Sequence, residues 1–328
     1  MRISAMIAAL IFCGLMSEQT QAIEFPEDVR AWINSPPISV ESMRGKSIVL
    51  YFYEEGCPRC RENWTKVVEA ANESTGKPVM LIAVNSGNSA MAVAQYVTAN
   101  RLTFPVIVDT DRSLEVAAGI GEVSLKNIWQ AIEIDPQGTV TRVSATDLSQ
   151  SMASAASKAS WNVDPQGMPA AILPLWKQIE FGHFQGTAKL VERSLKDRNA
   201  DVKAAAESLS AYAAKQIEEL ATQAESAAAS GDQWQTWKLY DRMMREFAGY
   251  TISESATNAF AALSKSDEIQ RQKDAMKQWV LVQKTMTGSN PSRGRIEAML
   301  GKLIEKYSDT EAAALAQAAK TQFGSVPR

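Results

Sequence analysis

The feature that most restricts the fold of this chain is a pair of cysteines that directly follows a strand-like run. Residues 48–53 read Ile-Val-Leu-Tyr-Phe-Tyr, and continuous apolar, β-branched and aromatic runs are typical of a strand buried on both faces. After a short loop, residues 54–56, comes Cys57-Pro58-Arg59-Cys60. Proline is well tolerated at the first position of a helix, because its missing amide proton would be unpaired there. The pattern therefore predicts a strand, a loop and a helix with Cys57 at its N-terminus.

The placement of these cysteines predicts a chemical role rather than a structural one. The unpaired amides at a helix N-terminus favour a thiolate, and Cys60 follows one turn later on the same face. Cys57 is the expected nucleophile, and Cys60 is expected to resolve the mixed disulfide that Cys57 forms. Pro58 starts the helix, and the charge of Arg59 favours the thiolate. A bridge that closes so short a loop would add little stability through chain entropy.

Metal binding is the other common use of a Cys-x-x-Cys pair. The chain has three cysteines and one histidine, His183, and Cys13 lies outside the expected folded region. A structural zinc site draws its four ligands mainly from cysteine and histidine, so we expect no metal and no cofactor. The net charge of −3 also argues against a nucleic-acid partner.

The first 22 residues have the layout of a secretory signal peptide. Arg2 is followed by an apolar run over residues 5–16 and by Thr-Gln-Ala at residues 20–22. We expect cleavage after Ala22, with an uncleaved membrane anchor as the alternative.

Residues 23–145 are predicted to form one domain of alternating strands and helices. Further strands are expected over residues 78–85, 104–109, 128–134 and 139–143, with helices over residues 58–71, 89–100 and 111–118. This order predicts a mixed sheet flanked by helices.

The composition changes after residue 145. Residues 146–168 are rich in Ser, Ala, Asn, Pro and Gly and are predicted to be a linker, and residues 169–328 have the pattern of an α-helical domain. Within it, residues 243–249 and 303–309 resemble each other. Two such copies resemble a tetratricopeptide-type helical repeat, which would offer a surface to a protein partner.

A larger set of residues matches one family in order and spacing. The matching residues are Trp32, Asn34, Pro37, Glu41 to Lys46, Val49 to Phe52, Cys57 to Cys60, Phe104 to Val106, Asp109 and Ile134 to Gly138. In these residues the region from about 32 to 143 resembles the TlpA-type, AhpC/TSA-related thioredoxin-like proteins of bacterial envelopes. The resemblance implies a thioredoxin fold, a periplasmic location and thiol–disulfide oxidoreductase activity on protein thiols. It also implies an electron donor or acceptor in the envelope.

The chain departs from that family at two positions. Trp129 occupies the place of the cis-proline that faces the cysteines, and a cis bond before a residue other than proline costs about 2.5–4 kcal/mol. Tyr51 occupies the position where thioredoxins proper have a buried aspartate beneath the second cysteine, for which Glu54 and Glu55 are the candidate substitutes.

The missing proline also supports an alternative function of another class. In that interpretation the chain is a non-catalytic scaffold, whose helical domain binds a partner while its thioredoxin-like domain is degenerate. The retention and placement of Cys57 and Cys60 favour the enzyme.

Overall fold

A computed structural model describes residues 23–56, 58–124, 126–286 and 292–325, with side chains described up to residue 321. The predicted signal peptide, residues 1–22, lies outside these described residues. Within them, six strands occur before residue 145 and helices alone follow it. This arrangement confirms the predicted fold class, which is an α/β thioredoxin-like domain followed by an all-α region.

The six strands form one mixed sheet. They are β1 (Trp32–Ile33), β2 (Ser47–Tyr53), β3 (Val79–Ser86), β4 (Val106–Asp109), β5 (Gln130–Ile134) and β6 (Val140–Ser144). Their order across the sheet is β1-β4-β3-β2-β5-β6. The central strands β2, β3 and β4 are parallel, whereas β1, β5 and β6 each pair antiparallel with a neighbour. The hairpin of β5 and β6 was predicted, whereas the two-residue strand β1 was not.

Strand β2 contributes side chains to both hydrophobic cores of this domain, one on each face of the sheet. All seven of its residues are buried, and their side chains point alternately to the two faces of the sheet. Val49, Tyr51 and Tyr53 belong to one core, together with Cys60. The residues between them, Ile48, Leu50 and Phe52, belong to the core on the other face. The central position of β2 therefore explains its continuous apolar sequence.

Besides two short 3₁₀ helices, the described residues of this part contain five α-helices. They are α1 (Pro58–Glu62), α2 (Trp64–Glu73), α3 (Ala90–Ala99), α4 (Ser113–Ala117) and α5 (Leu148–Lys158). The single helix expected over residues 58–71 is divided at Asn63. The backbone N–H of Asn63 donates to the Cys60 carbonyl at 3.2 Å, three residues back, so the chain turns more tightly there than an α-helix does.

Helix α5 lies within the segment that was predicted to be a linker, residues 146–168. Its residues Leu148, Met152 and Ala155 are buried in the same core as Cys60. The Ser47 hydroxyl of β2 donates to the Ala155 carbonyl at 3.0 Å. The apolar core of the sheet therefore extends to Ala155, while the predicted domain boundaries stay a prediction.

Eight further α-helices follow in the described part of the chain. They are α6 (Leu173–Glu180), α7 (Ala188–Leu195), α8 (Ala200–Ala229), α9 (Gln233–Glu246), α10 (Glu254–Leu263), α11 (Asp267–Met286), α12 (Arg293–Lys306) and α13 (Glu311–Ser325). Asn199 caps α8 by accepting hydrogen bonds from the amides of Asp201 and Val202. None of the described helices is both long and apolar enough to cross a membrane.

The two halves meet at a buried ion pair. Lys46 Nζ, just before β2, lies 3.1 Å from Glu180 Oε1 at the end of α6, and both side chains are fully buried. The same carboxylate accepts hydrogen bonds from the backbone amides of Asn162 and Val163 at 2.9 and 3.0 Å. Next to Glu180, Gly182 approaches the side chain of Ser42 so closely that an added Cβ would lie 2.3 Å from Ser42 Cβ.

Candidate active site

Cys60 lies in α1, the short helix that follows β2. Cys57 itself lies outside the described residues. Pro58 is the first residue of α1, in agreement with the role expected of it, and Arg59 is exposed. Cys60 is fully buried in α1. The described part of the motif therefore combines an exposed N-terminal turn with a second cysteine held in the core.

Cys60 shares its core with the aromatic residues Tyr51, Tyr53 and Trp64. Tyr51 lies in the same core as Cys60, and its hydroxyl accepts a hydrogen bond from Asn63 Nδ2 at 3.1 Å. Trp64 packs edge-on against both Tyr51 and Tyr53, with ring centroids 5.7 and 4.7 Å apart. Tyr51 stands where thioredoxins proper have a buried aspartate, and in this chain its hydroxyl is hydrogen-bonded to Asn63.

The two candidate substitutes for that acid, Glu54 and Glu55, have different environments. The Glu54 carboxylate is 3.1 Å from Arg112 Nη2, and the same guanidinium binds Glu115 at 2.8 Å. Glu55 has one carboxylate oxygen, Oε1, that is buried and has no hydrogen-bond partner. Burial raises the pKa of Glu55, and the neighbouring charge of Glu54 raises it further. The Glu54 carboxylate is therefore paired with a guanidinium, whereas Glu55 has a buried oxygen without a hydrogen-bond partner.

Trp129, at the position where family members carry a cis-proline, has a left-handed backbone conformation. The residue immediately precedes β5, has a φ of 60° and packs against the core that contains Cys60. A left-handed conformation costs an ordinary residue about 1–2 kcal/mol. Its indole Nε1 is also buried without a hydrogen-bond partner. The described residues contain no cis peptide bond.

Two buried polar residues at the ends of β2 and β3, Tyr53 and Asn85, were not identified from the sequence. Tyr53 at the end of β2 and Asn85 at the end of β3 lie opposite each other in the sheet, and both are fully buried. Neither Tyr53 Oη nor Asn85 Nδ2 makes a hydrogen bond of normal geometry. The available signal was Asn85 itself, which is a polar residue at the end of an otherwise apolar strand.

His183 lies apart from the cysteine motif, after α6 in the helical half. Its backbone N–H donates to the Gln178 carbonyl at 2.8 Å, and burial lowers the pKa of its ring. Among the described residues, no three His, Cys, Asp or Glu side chains come together in a way that could hold a metal ion.

The fold and the cysteine motif together define a class of protein. The domain is a thioredoxin-like α/β domain that carries a Cys-x-x-Cys pair between a central strand and the helix that follows. The sequence model of the AhpC/TSA family matches residues 21–143. These residues form an AhpC/TSA family domain, and thiol–disulfide oxidoreductases of the ResA type are among its relatives.

Individual proteins and structures show the extent of this similarity. The thiol-disulfide oxidoreductase ResA of Bacillus subtilis is 25% identical over 142 residues, which are 43% of this chain and 76% of that protein. A thiol:disulfide interchange protein of the thioredoxin family from Chlorobium tepidum has 20% identity and a TM-score of 0.34, over 41% of this chain and 96% of that structure. A secreted disulfide oxidoreductase from Mycobacterium tuberculosis has 20% identity and a TM-score of 0.32, over 42% of this chain and 98% of that structure.

Proposed function

We propose that this chain is a thiol–disulfide oxidoreductase that acts on protein thiols through Cys57 and Cys60. The observation that carries the proposal is the burial of Cys60 in α1, the helix that follows the central strand β2 after a short loop, with Cys57 three residues earlier in the sequence. The AhpC/TSA family domain and its relatives, which are named thiol-disulfide oxidoreductases, support it. Because of these relatives, the scaffold alternative is not favoured.

The proposed reaction is a two-step exchange. When a substrate disulfide is reduced, the Cys57 thiolate attacks one substrate sulfur, and the substrate S–S bond breaks as a mixed disulfide forms. Cys60 then attacks the Cys57 sulfur and releases the second substrate thiolate. Two electrons pass from the protein dithiol to the substrate, and the reverse sequence oxidises a substrate dithiol. The burial of Cys60 suits this second step, because a buried thiol meets a mixed disulfide only within its own domain.

The proposed location is the periplasm, and the proposed partners are protein thiols and an envelope electron donor or acceptor. The signal peptide predicted at residues 1–22 supports this location. So does the description of one similar structure as a secreted disulfide oxidoreductase.

For the helical region we propose a repeat of helices that presents a surface to a protein partner. Helices α9 and α12 have the same length of 14 residues. Each is followed by a buried aromatic residue at the same relative position, Phe247 after α9 and Tyr307 after α12. These positions belong to the two similar segments, residues 243–249 and 303–309.

The test of the redox function is equilibration of the purified chain with glutathione buffers, followed by alkylation and mass measurement. A reversible two-electron transition between about −270 and −120 mV, the range of known thioredoxin-like proteins, is expected. Cys57→Ser and Cys60→Ser should each abolish the transition. Cys60→Ser should also trap a mixed disulfide with a substrate protein, whereas Cys57→Ser should not. A wild-type chain whose cysteines do not interconvert would refute the proposed function.

A further inference from the structure

Residues 160–163 lie in the segment that connects α5 to α6, and they are hydrogen-bonded to the turn that precedes β2. The backbone N–H of Ser160 donates to the Gly45 carbonyl at 2.9 Å, and Asn162 Nδ2 donates to the Arg44 carbonyl at 3.3 Å. The approach is close, because a Cβ added to Gly45 would lie 3.3 Å from Asn162 Oδ1. The connecting segment is therefore attached to the sheet-bearing half of the chain by its backbone and by one side chain.

The same residues are attached to the helical half through α6. The two carboxylate oxygens of Glu180 accept hydrogen bonds from the backbone amides of Asn162 and Val163 at 2.9 and 3.0 Å, and Oε1 also accepts one from Asn162 Nδ2 at 3.2 Å. Trp176 Nε1 donates to the Val163 carbonyl at 2.7 Å. Asn162 thus bonds to both halves, since its side-chain amide meets the Arg44 carbonyl on one side and Glu180 on the other.

Lys46 completes the contact from the side of the sheet. Its Nζ is 3.1 Å from Glu180 Oε1, with both side chains fully buried, and it lies 6.0 Å from the centroid of the Phe181 ring. Helix α8 approaches the same group, because burial and then the charge of Glu180 raise the pKa of Tyr212, whereas the Asn162 side chain opposes the shift. Residues of the turn before β2, the connecting segment, α6 and α8 therefore meet at one buried carboxylate.

This contact is directional, and that property distinguishes it from apolar packing. Domains joined by a chain segment are expected to move relative to each other unless their interface is large and hydrophobic. Apolar surfaces attract without a preferred direction, so they tolerate sliding. A displacement of the two halves would instead separate Lys46 from Glu180 and leave two charges buried without a partner, which is unfavourable in a low dielectric. A paired, buried polar network therefore permits one arrangement of the groups that form it.

We propose that these contacts hold the helical half in a single orientation relative to the sheet. We call them the junction network, and it consists of Lys46, Asn162, Val163 and Glu180 with the carbonyls of Arg44 and Gly45. The proposal goes beyond the redox function, and only its consequence rests on that function: a protein partner bound to the helical half is kept at a fixed position relative to the helix that carries Cys60. The helical half then acts as a rigid support for the redox domain rather than as a flexible tether.

The junction network lies at the end of β2 opposite to the cysteine helix. Lys46 immediately precedes Ser47, the first residue of β2, whereas α1 begins at Pro58, after the last residue of the strand. The seven residues of the strand span about 23 Å at about 3.3 Å per residue. The network therefore fixes the orientation without occupying the end of the strand at which α1 begins.

The experiment measures the distance between the two halves by pulsed electron paramagnetic resonance. Spin labels are attached through Thr141→Cys on β6 and Ala214→Cys on α8, two exposed positions, in a full chain whose own three cysteines are replaced by Ser. One narrow distance distribution is expected. Lys46→Met should broaden it at least about twofold, because the unpaired Glu180 carboxylate is then drawn towards water, and Asn162→Ala should broaden it as well.

The matched control is Lys196→Met, which makes the same change at an exposed ion pair of the helical half, with Glu192, and should leave the distribution unchanged. A second measurement, hydrogen exchange followed by mass spectrometry, uses the chain with its own cysteines. In Lys46→Met the peptide that contains Ser160 should exchange at least about tenfold faster than in the wild type, because the Ser160 amide is bonded across the junction. The peptide that covers β3 should keep its protection, which shows that the sheet is folded.

A broad or multiply peaked distribution with the network intact would overturn the proposal, since the halves would then adopt several orientations. So would distributions in Lys46→Met and Asn162→Ala that are as narrow as that of the control, since other contacts would then fix the orientation. If Lys46→Met loses the protection of β3, Asn162→Ala, which removes no charge, decides the question. Failure of the redox function is a separate result, because it appears in glutathione buffers, whereas the distance measurement uses a chain without the redox cysteines.

Discussion

Glu180→Ala tests how strongly the helical half is held to the sheet. The substitution leaves Lys46, whose ammonium group is fully buried and 3.1 Å from Glu180, without its counter-charge. It also removes the acceptor of three hydrogen bonds, from the two backbone amides of Asn162 and Val163 and from Asn162 Nδ2. Burial already holds the pKa of Lys46 below its usual range, and Glu180 is the group that opposes this.

The expected loss is large on the scale of protein stability. Removal of one partner of a buried ion pair costs about 3–5 kcal/mol, because the other charge stays buried without compensation. The lost hydrogen bonds bring the expected loss to the upper end of that range, since each contributes about 1 kcal/mol. Lys46→Met should cost less than Glu180→Ala, at the lower end of the range of about 3–5 kcal/mol, because it keeps the apolar stem and leaves Glu180 with its three N–H donors.

The measurement is the free energy of unfolding from urea denaturation, followed by tryptophan fluorescence. Trp161 and Trp176 are in edge contact at 5.0 Å, and Trp176 Nε1 donates to the Val163 carbonyl, so this pair reports on the region of Glu180. The control is Glu192→Ala, which removes an exposed ion pair with Lys196 and should leave the free energy of unfolding close to that of the wild type.

Two results would refute this reasoning. A loss below about 1 kcal/mol in Glu180→Ala would mean that water reaches Lys46 and replaces the carboxylate. A loss equal to that of Glu192→Ala would mean that the ion pair at the junction contributes no more than an exposed pair does.

Three further predictions concern single positions. Gly182→Ala should lower the free energy of unfolding in urea by about 2–5 kcal/mol, because backbone strain at a φ of 81° adds to a contact of 2.3 Å between the new Cβ and Ser42 Cβ. Gly186→Ala should cost only about 1–2 kcal/mol, because its φ of 80° is as strained but the space around it is open. Burial lowers the pKa of His183, so the unfolded chain binds more protons than the folded chain below the unfolded pKa of 6.5. Stability should therefore fall as the pH drops from 6.5 through the folded pKa, and a slope that persists in His183→Asn would assign it to another group. Trp129→Phe should cost less than Trp64→Phe in the same assay, because the indole N–H of Trp129 is unpaired and that of Trp64 donates to Tyr96 Oη at 2.9 Å; equal losses would contradict this.

Local sequence was sufficient wherever neighbouring residues decide the structure. The run 48–53 was predicted as a doubly buried strand and lies within β2 at the centre of the sheet. Pro58 was expected to start a helix and is the first residue of α1. The turn at residues 135–138 was also predicted, and the Asp135 side chain accepts hydrogen bonds from the amides of Gln137 and Thr139 there. In each case one residue type or a short periodic pattern restricts the backbone.

The candidate site was only partly predictable, because part of it depends on residues that are distant in the sequence. The chemistry of the cysteine pair followed from residue types and spacing. Glu54 and Glu55, however, are adjacent and identical in type, and only the position of Arg112, which reaches Glu54 from the start of α4, distinguishes them. The polar pair of Tyr53 and Asn85 depends on the register of two strands, and register is a property of the sheet.

The sequence by itself thus determined the order of strands β2 to β6 and the change to helices after the sheet. Only the tertiary structure decided that α5 packs into the sheet's core, that Lys46 pairs with Glu180 from 134 residues away, and that Trp129 takes a left-handed conformation. The physical reason is the range of the interactions. Propensity, periodicity and turn chemistry act between near neighbours, whereas burial and ion pairing depend on groups that folding alone brings together.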